Sequence, residues 1–299
     1  MSNKKPRRIH LEKKNTNEPI INNSSFVIPN LYLLDGKTVI ITGCSSGIGA
    51  ATTKTFLEAG ANVVGCYWSK ADSKVYEKDA ISYVERIVED YKGKFIFLNL
   101  DIADRKTPNI LVKTAISSYG KIDVLCNNAG IAHFVDFEKM QRKIYDHTIN
   151  TNLTGHIFLT KEVVKEMKKN APSKTTGSRG SIINMSSVSG LKIGEDGVLP
   201  YAITKAGLHA FTLELAVELG IHQIRANSVV PGSIMTPINY RDLGDIARKK
   251  GIENRTALGR WGYPQEVANV ILFLASDLSS YITGAEVLVD GGLTTTFKL

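Results

Sequence analysis

No apolar run approaches the about 20 residues that a helix needs to cross a bilayer, so a membrane span is not expected. Cysteine is scarce: Cys44, Cys66 and Cys126 make an odd count of three and lack metal-ligand spacing. That excludes a disulfide scaffold, predicts a reducing compartment and gives no metal site. The apolar core of a secretory signal is missing as well. The expected location is cytoplasmic, with organelle targeting by the N-terminus left open. Internal repeats are absent, and no low-complexity block occurs beyond the first 30 residues.

What is present begins with charge. The chain of 299 residues carries a formal net charge of +8. Residues 1–17 hold Lys4, Lys5, Arg7, Arg8, Lys13 and Lys14 against Glu12, a net +5, so the other 282 residues carry only +3. A basic tail on a near-neutral body speaks of solubility or location, and no nucleic-acid partner is expected. Were the tail to bind nucleic acid, binding would be salt-sensitive and would vanish with residues 1–30. Residues 1–33 are read as a flexible basic extension and 34–299 as one globular domain.

From Leu34 onward, short apolar runs alternate with amphipathic ones. Strands are predicted at 37–42, 62–67, 94–100, 123–127, 181–186, 224–230 and 285–290. Helices are predicted at 47–60, 75–92, 107–119, 201–219 and 264–275, with one long helical stretch over 137–169. Apolar strands alternating with helices predict an α/β fold with a parallel sheet covered on both faces. The Gly/Ser/Lys-rich stretch 170–180 reads as an exposed loop.

The first strand runs into "TGCSSGIG", Thr42 to Gly49, and then into a helix. Small residues let the backbone turn sharply and approach a pyrophosphate, and the new helix offers free N–H groups to the anion. An ordinary Gly-rich turn would read the same way in isolation. Three further motifs follow in order: "NNAG" (127–130), Tyr201-x-x-x-Lys205, and "PG" (231–232) after the sixth strand. Together the four resemble the short-chain dehydrogenase/reductase family over residues 34–299. The resemblance implies a single-domain doubly wound parallel sheet of Rossmann type. It implies hydride transfer between a nicotinamide cofactor and a carbonyl or secondary alcohol of a small or medium substrate. It also implies a homotetramer, or failing that a dimer.

Tyr201 and Lys205 are four residues apart on one helix face. A free phenol titrates near pH ~10, and a neighbouring ammonium favours phenolate. The resemblance makes Tyr201 the acid/base, Lys205 its partner and a ribose ligand, and Ser187 the donor to the substrate oxygen. Ser186 is the alternative one register away. The family's asparagine is matched by Asn152 in "NLTG", at a helix irregularity where its carbonyl joins a water relay to the lysine.

Cofactor contacts implied by the resemblance are Gly43, Ser45, Ser46, Gly47, Ile48 and Gly49 in the turn and Asp101 and Ile102 near adenine. Asn128, Ala129 and Gly130 lie behind the ribose, and Pro231, Gly232, Ile234 and Thr236 beside the nicotinamide. The second strand ends in "CYWSK". Tyr67 replaces the acid of NAD-preferring relatives, while Trp68, Ser69 and Lys70 can pack on adenine and neutralise a 2′-phosphate. NADP(H) is therefore expected, with NAD(H) as the alternative; the turn's "CSS" lacks the basic residue of many NADP-preferring relatives. Residues 237–260 match the variable substrate lid, and their polarity suits a polar or modest-sized substrate. Two alternatives stand beside this. One is a 3-oxoacyl-thioester reductase, weakened by Val217 in "LAVEL", where carrier-protein docking uses arginine. The other is a non-catalytic cofactor-binding scaffold, which would not require all four catalytic residues.

Overall fold

The structure is a computed structural model and describes residues 33–69, 87, 89–91, 93–192, 194 and 196–295. The predicted helix over 75–92 falls almost wholly outside these residues. So do Lys70 and the predicted extension, Leu33 excepted.

Among the described residues, seven strands form one parallel sheet in the order β3-β2-β1-β4-β5-β6-β7. Their ranges are β1 Thr38–Thr42, β2 Asn62–Tyr67, β3 Phe95–Asn99, β4 Val124–Asn127, β5 Gly180–Met185, β6 Ile224–Pro231 and β7 Glu286–Val289. Every residue of β1, β4, β5 and β6 is buried, whereas the edge strands β3 and β7 are largely half-buried. Central parallel strands are covered on both faces, which is why they read as near-continuous apolar runs rather than alternating ones; the polar residues buried in them, such as Asn184 and Asn227, are hydrogen-bonded.

The covering helices among the described residues are α1 Gly47–Glu58, α2 Thr107–Tyr119, α3 Arg142–Ile149, α4 Gly155–Met167, α5 Leu199–Gly220, α6 Tyr240–Leu243, α7 Ile246–Arg255 and α8 Pro264–Ala275. On one face Phe56 and Leu57 of α1 meet Val267, Ile271 and Leu274 of α8 over β1 and β5. On the other, Leu111 of α2, Leu159, Val163 and Met167 of α4 and Leu219 of α5 close over Ile40, Leu125 and Ile182. Strand order reverses between β1 and β4, so helices diverge there and leave a crevice beyond the strands' carboxyl ends.

The single long helix expected over 137–169 is corrected. A 3₁₀ turn, Phe137–Lys139, precedes α3, and a π-helical turn, Asn150–Thr154, separates α3 from α4. At that turn the Gly155 N–H donates to the Asn150 carbonyl, five residues back. Tertiary contacts hold the extra residue in place. The Asn152 side chain grips both backbone groups of Ile131, and Gly155 passes so close to the Ile102 carbonyl that a Cβ there would collide with it. Neither partner is near in sequence, so helical periodicity alone reads straight through the turn.

Candidate active site

Each strand delivers residues to the crevice at its carboxyl end. The result is a cavity of about 430 Å³, within the usual range for ligand sites. The glycine-rich turn leaves β1 through Gly43, whose φ is +68°, and Gly47, at +50°, opens α1. A Cβ on Gly43 would come within 2.8 Å of Ala129 Cα. One on Gly49 would strike the Gly43 carbonyl and lie 2.5 Å from Asn128 Nδ2. Ser46 begins the helix without a side-chain cap, so the first-turn N–H donors open onto the cavity. The Asn128 side chain donates to the Thr42 and Gly43 carbonyls at 3.0 and 3.1 Å and ties the turn to the end of β4. Bare backbone, an uncapped helix start and a strand-order reversal fit a dinucleotide pyrophosphate.

The cavity is lined by the six turn residues Gly43 and Ser45 to Gly49, by Asp101 and Ile102, and by Asn128, Ala129 and Gly130. Trp68, half exposed at 52%, lines it after β2, and Pro231, Gly232, Ile234 and Thr236 line it after β6. Two side chains have commitments that the sequence did not reveal. Asp101 accepts the Ala103 N–H at 2.9 Å, and the Thr236 hydroxyl donates to the Ile234 carbonyl at 3.3 Å. Ser69 is not among the lining residues. It exchanges two hydrogen bonds with Asn99 across the sheet edge, at 3.3 and 3.2 Å. Tyr67 stacks on Phe97 with centroids 4.1 Å apart, which holds the end of β2 flat against β3.

Tyr201 and Lys205 project from the first two turns of α5 into the same cavity as Ser187. Lys205 Nζ lies 5.3 Å from the Tyr201 ring centroid and donates to the Met185 carbonyl at the end of β5, at 2.7 Å. Burial pushes the Lys205 ammonium down from its ordinary value to about 8. The two adjacent serines have different tasks. The Ser186 hydroxyl donates to the Lys205 backbone carbonyl at 2.9 Å and so fastens α5 to β5. Ser187 Oγ accepts the Ser189 N–H at 3.1 Å, which aims its own proton elsewhere. Asn152 does not line the cavity. It is fully buried behind Gly130, where a Cβ would lie 3.6 Å from Lys205 Nζ and 3.7 Å from Asn152 Oδ1.

Several lining residues escaped sequence reasoning. Phe134 and His147 come from the segment between β4 and the π turn, and Asn239, Asp242 and Arg255 from the lid. The lid's charges are partly spent on one another. Buried Asp242 faces Arg241 at 3.6 Å and Arg248 at 3.3 Å, and the Arg241 guanidinium covers the Phe134 ring at 4.2 Å. Nothing in their local sequence marks these residues. His156 was also missed, although its position four residues after Asn152 was a legible signal.

A family model described as enoyl-(acyl carrier protein) reductase matches residues 43–294. L-rhamnose 1-dehydrogenase (NAD(P)(+)) from a Sphingomonas species is 39% identical over 88% of this chain and 98% of its own. A 3-oxoacyl-[acyl-carrier-protein] reductase from Thermotoga maritima is 42% identical over 87% of this chain and 98% of its own. Among solved structures, a gluconate 5-dehydrogenase from Burkholderia cenocepacia in complex with NADP and tartrate superposes with a TM-score of 0.77 at 28% identity. That match covers 89% of this chain and 98% of the other. The motifs in order, the strand-order reversal and these relatives agree: the chain belongs to the short-chain dehydrogenase/reductase family and is an oxidoreductase transferring hydride between a nicotinamide cofactor and a CH–OH or C=O carbon.

Proposed function

We propose that the protein oxidises the C1 hydroxyl of an aldose of the L-rhamnose type to the lactone, with NADP+ preferred over NAD+. One observation carries the substrate class. The lid and the helix before the π turn put Asn239, Asp242, Arg255 and His147 into the cavity wall. A polyhydroxylated ring offers hydrogen-bonding groups in several directions, which these residues can meet, while Phe134, Val188 and Trp261 give the same wall apolar surface for the faces of the ring. The rhamnose dehydrogenase relatives support the same class. Val217, 78% exposed on α5, puts an aliphatic side chain where carrier-protein docking would use a cation, which disfavours the thioester reading.

Tyr201, Lys205, Ser187 and Asn152 form the proposed catalytic group. The dinucleotide, when bound, supplies the hydride acceptor. Tyr201 as phenolate takes the C1 hydroxyl proton as the C1–H bond gives up its electron pair and C–O becomes C=O. Ser187 donates a hydrogen bond to the same oxygen. The Lys205 cation stabilises the phenolate, and its contact with the Met185 carbonyl fixes where that charge stands. Preference for NADP+ is supported at the end of β2, where Tyr67 stands in place of a carboxylate and Trp68 lines the cavity beside it. A cytoplasmic homotetramer completes the reading; Phe158 on α4 and Ile203 and Leu213 on α5 leave apolar surface for subunit contact.

The test is a panel of L-rhamnose and other aldoses with NAD+ and NADP+, run beside an acetoacetyl thioester with NADPH. Turnover on the thioester and none on any aldose overturns the substrate class. Tyr201→Phe is expected to lose nearly all turnover and still bind the dinucleotide; near-normal rates from it would sink the proposed chemistry. A kinetic preference of tenfold or more for NAD+ overturns the cofactor preference.

A further inference from the structure

His156 is fully buried on α4 and belongs to none of the motifs used above. Its ring bridges a side-chain hydroxyl and a backbone carbonyl of the site. Nε2 lies 3.2 Å from Thr42 Oγ1, at the last residue of β1, and Nδ1 lies 3.1 Å from the backbone carbonyl of Asn152, inside the π turn.

Hydrogen-bond bookkeeping settles the direction of both bonds. Thr42 Oγ1 already accepts two backbone donors, the Asn128 and Ala129 N–H groups, each at 3.0 Å. Those occupy its two lone pairs, so it has only its proton to offer His156. The Asn152 carbonyl can only accept, so Nδ1 must carry a proton. One neutral tautomer meets both demands: Nδ1–H donates to Asn152 and bare Nε2 accepts from Thr42. A second proton on the ring would set two donors against each other at Thr42. Burial, and then the positive charge of Lys205, push the imidazolium pKa down to about 3 against the pull of the Asn152 carbonyl, which agrees with the neutral ring.

The relay continues on both sides. Upstream, Thr42 ties the glycine-rich turn to the Asn128 and Ala129 backbone. Downstream, the Asn152 side chain holds Ile131 and donates to Thr204 Oγ1 at 3.3 Å, and Thr204 donates to the Tyr201 carbonyl at 2.7 Å. A carbonyl has two lone pairs, and His156 takes one of those on Asn152.

We propose that His156 is a positioning residue whose Nδ1–H fixes the Asn152 carbonyl in the π turn and links the dinucleotide-binding turn to the proton path of Tyr201 and Lys205. The inference rests on Asn152 belonging to that path, and it holds for whichever alcohol or carbonyl the protein turns over.

Two measurements test it. The first needs no substrate. Histidine-selective ¹⁵N labelling of the intact protein, with the His156 signal assigned by its loss in His156→Asn, reads the tautomer directly. The expected result is protonated Nδ1 and bare Nε2, unchanged from pH 8 to about pH 5, below the ordinary histidine range. Protonated Nε2, or titration inside that window, overturns the proposal.

The second compares two variants on a substrate that the wild type oxidises, L-rhamnose first. The His156→Asn amide nitrogen falls where Nδ1 is and keeps the bond to Asn152. The His156→Gln amide reaches the Nε2 position and keeps only the bond to Thr42. Both lose ring packing, so the ranking is the readout. Asn is expected to keep kcat within about threefold. Gln is expected to lose about tenfold or more in kcat, with little change in dinucleotide KM and a larger solvent isotope effect. A Gln variant as fast as Asn, or two equally slow variants with unchanged isotope effects, overturns the proposal. Should either variant fail to fold, the tautomer decides. A wild type inactive on aldoses refutes the substrate class alone and moves the comparison to the substrate it accepts.

Discussion

Replacing Lys205 by methionine separates the chemistry proposed for this residue from what it does to stability. Lys205 is 3% exposed, and its ammonium is pushed down from 10.5 to about 8 by burial. Its folded pKa lies below its unfolded one, so the group is a liability: keeping it charged costs the folded state free energy. Below about pH 8 that cost is whole. It is relieved as pH rises from 8 towards 10.5, where the folded protein sheds the proton before the unfolded chain does. At 1.36 kcal/mol per pKa unit the cost at pH 7 is about 3 kcal/mol. Lys205→Met removes it but leaves the Met185 carbonyl without its 2.7 Å donor, a loss of about 1–2 kcal/mol. The net expectation is a gain of about 1–2 kcal/mol at pH 7, or about 2–8 °C in melting temperature for a chain of this size. At about pH 10 less than about 1 kcal/mol of the ionic cost remains, and the variant should be no more stable than the wild type. Thermal melts of cofactor-free protein at pH 7, 8.5 and 10, beside turnover at pH 7, check both halves. A variant that melts several degrees below the wild type at pH 7, with a gap that does not change with pH, refutes the reasoning. Loss of turnover alone would not rescue it.

Gly49→Ala is expected to abolish dinucleotide binding and to cost several kcal/mol, since the new methyl would strike the Gly43 carbonyl and crowd Asn128; fluorescence titration and melting read the two effects. Cys44, Cys66 and Cys126 are fully buried, and burial pushes the latter two thiols up to about 12, so none should react with a thiol reagent at pH 8 until the chain unfolds. Asp245 caps α7 by accepting the Ala247 and Arg248 N–H groups at 2.9 and 3.1 Å, and Asp245→Ala should cost about 1 kcal/mol in denaturant melts. Glu266 accepts a two-pronged contact from Arg260, which holds its carboxyl below the usual range. That contribution is present above the unfolded carboxylate pKa and is lost as pH falls through the folded one. With both groups partly exposed it should amount to no more than about 1 kcal/mol, measured as the acid sensitivity that Glu266→Gln removes.

The parallel sheet was legible because strands buried on both faces need apolar residues at consecutive positions, and the cores of "TVIIT" and "NVVGCY" show this without any partner in view. The tight glycine turn and the shared helix face of Tyr201 and Lys205 were legible for a similar reason: a backbone packed this closely excludes side chains, and spacing of four fixes a shared helix face. These requirements act within a few residues, so a linear chain can display them. The different tasks of Ser186 and Ser187 could not be read in this way. Which hydroxyl faces the cavity depends on where α5 presents the Lys205 carbonyl, 19 residues away. The π turn at Asn152 follows from Ile131 and Ile102, and the lining residues of the lid follow from how α6 folds over Phe134. His156 shows the division most plainly. By sequence it is a helical histidine of no stated use. Its Asn152 partner lies four residues back in the chain, but only when β1 packs beside the π turn does Thr42 stand on the other side of the ring, and it is that neighbour in space whose two accepted bonds decide the direction of the hydrogen bond.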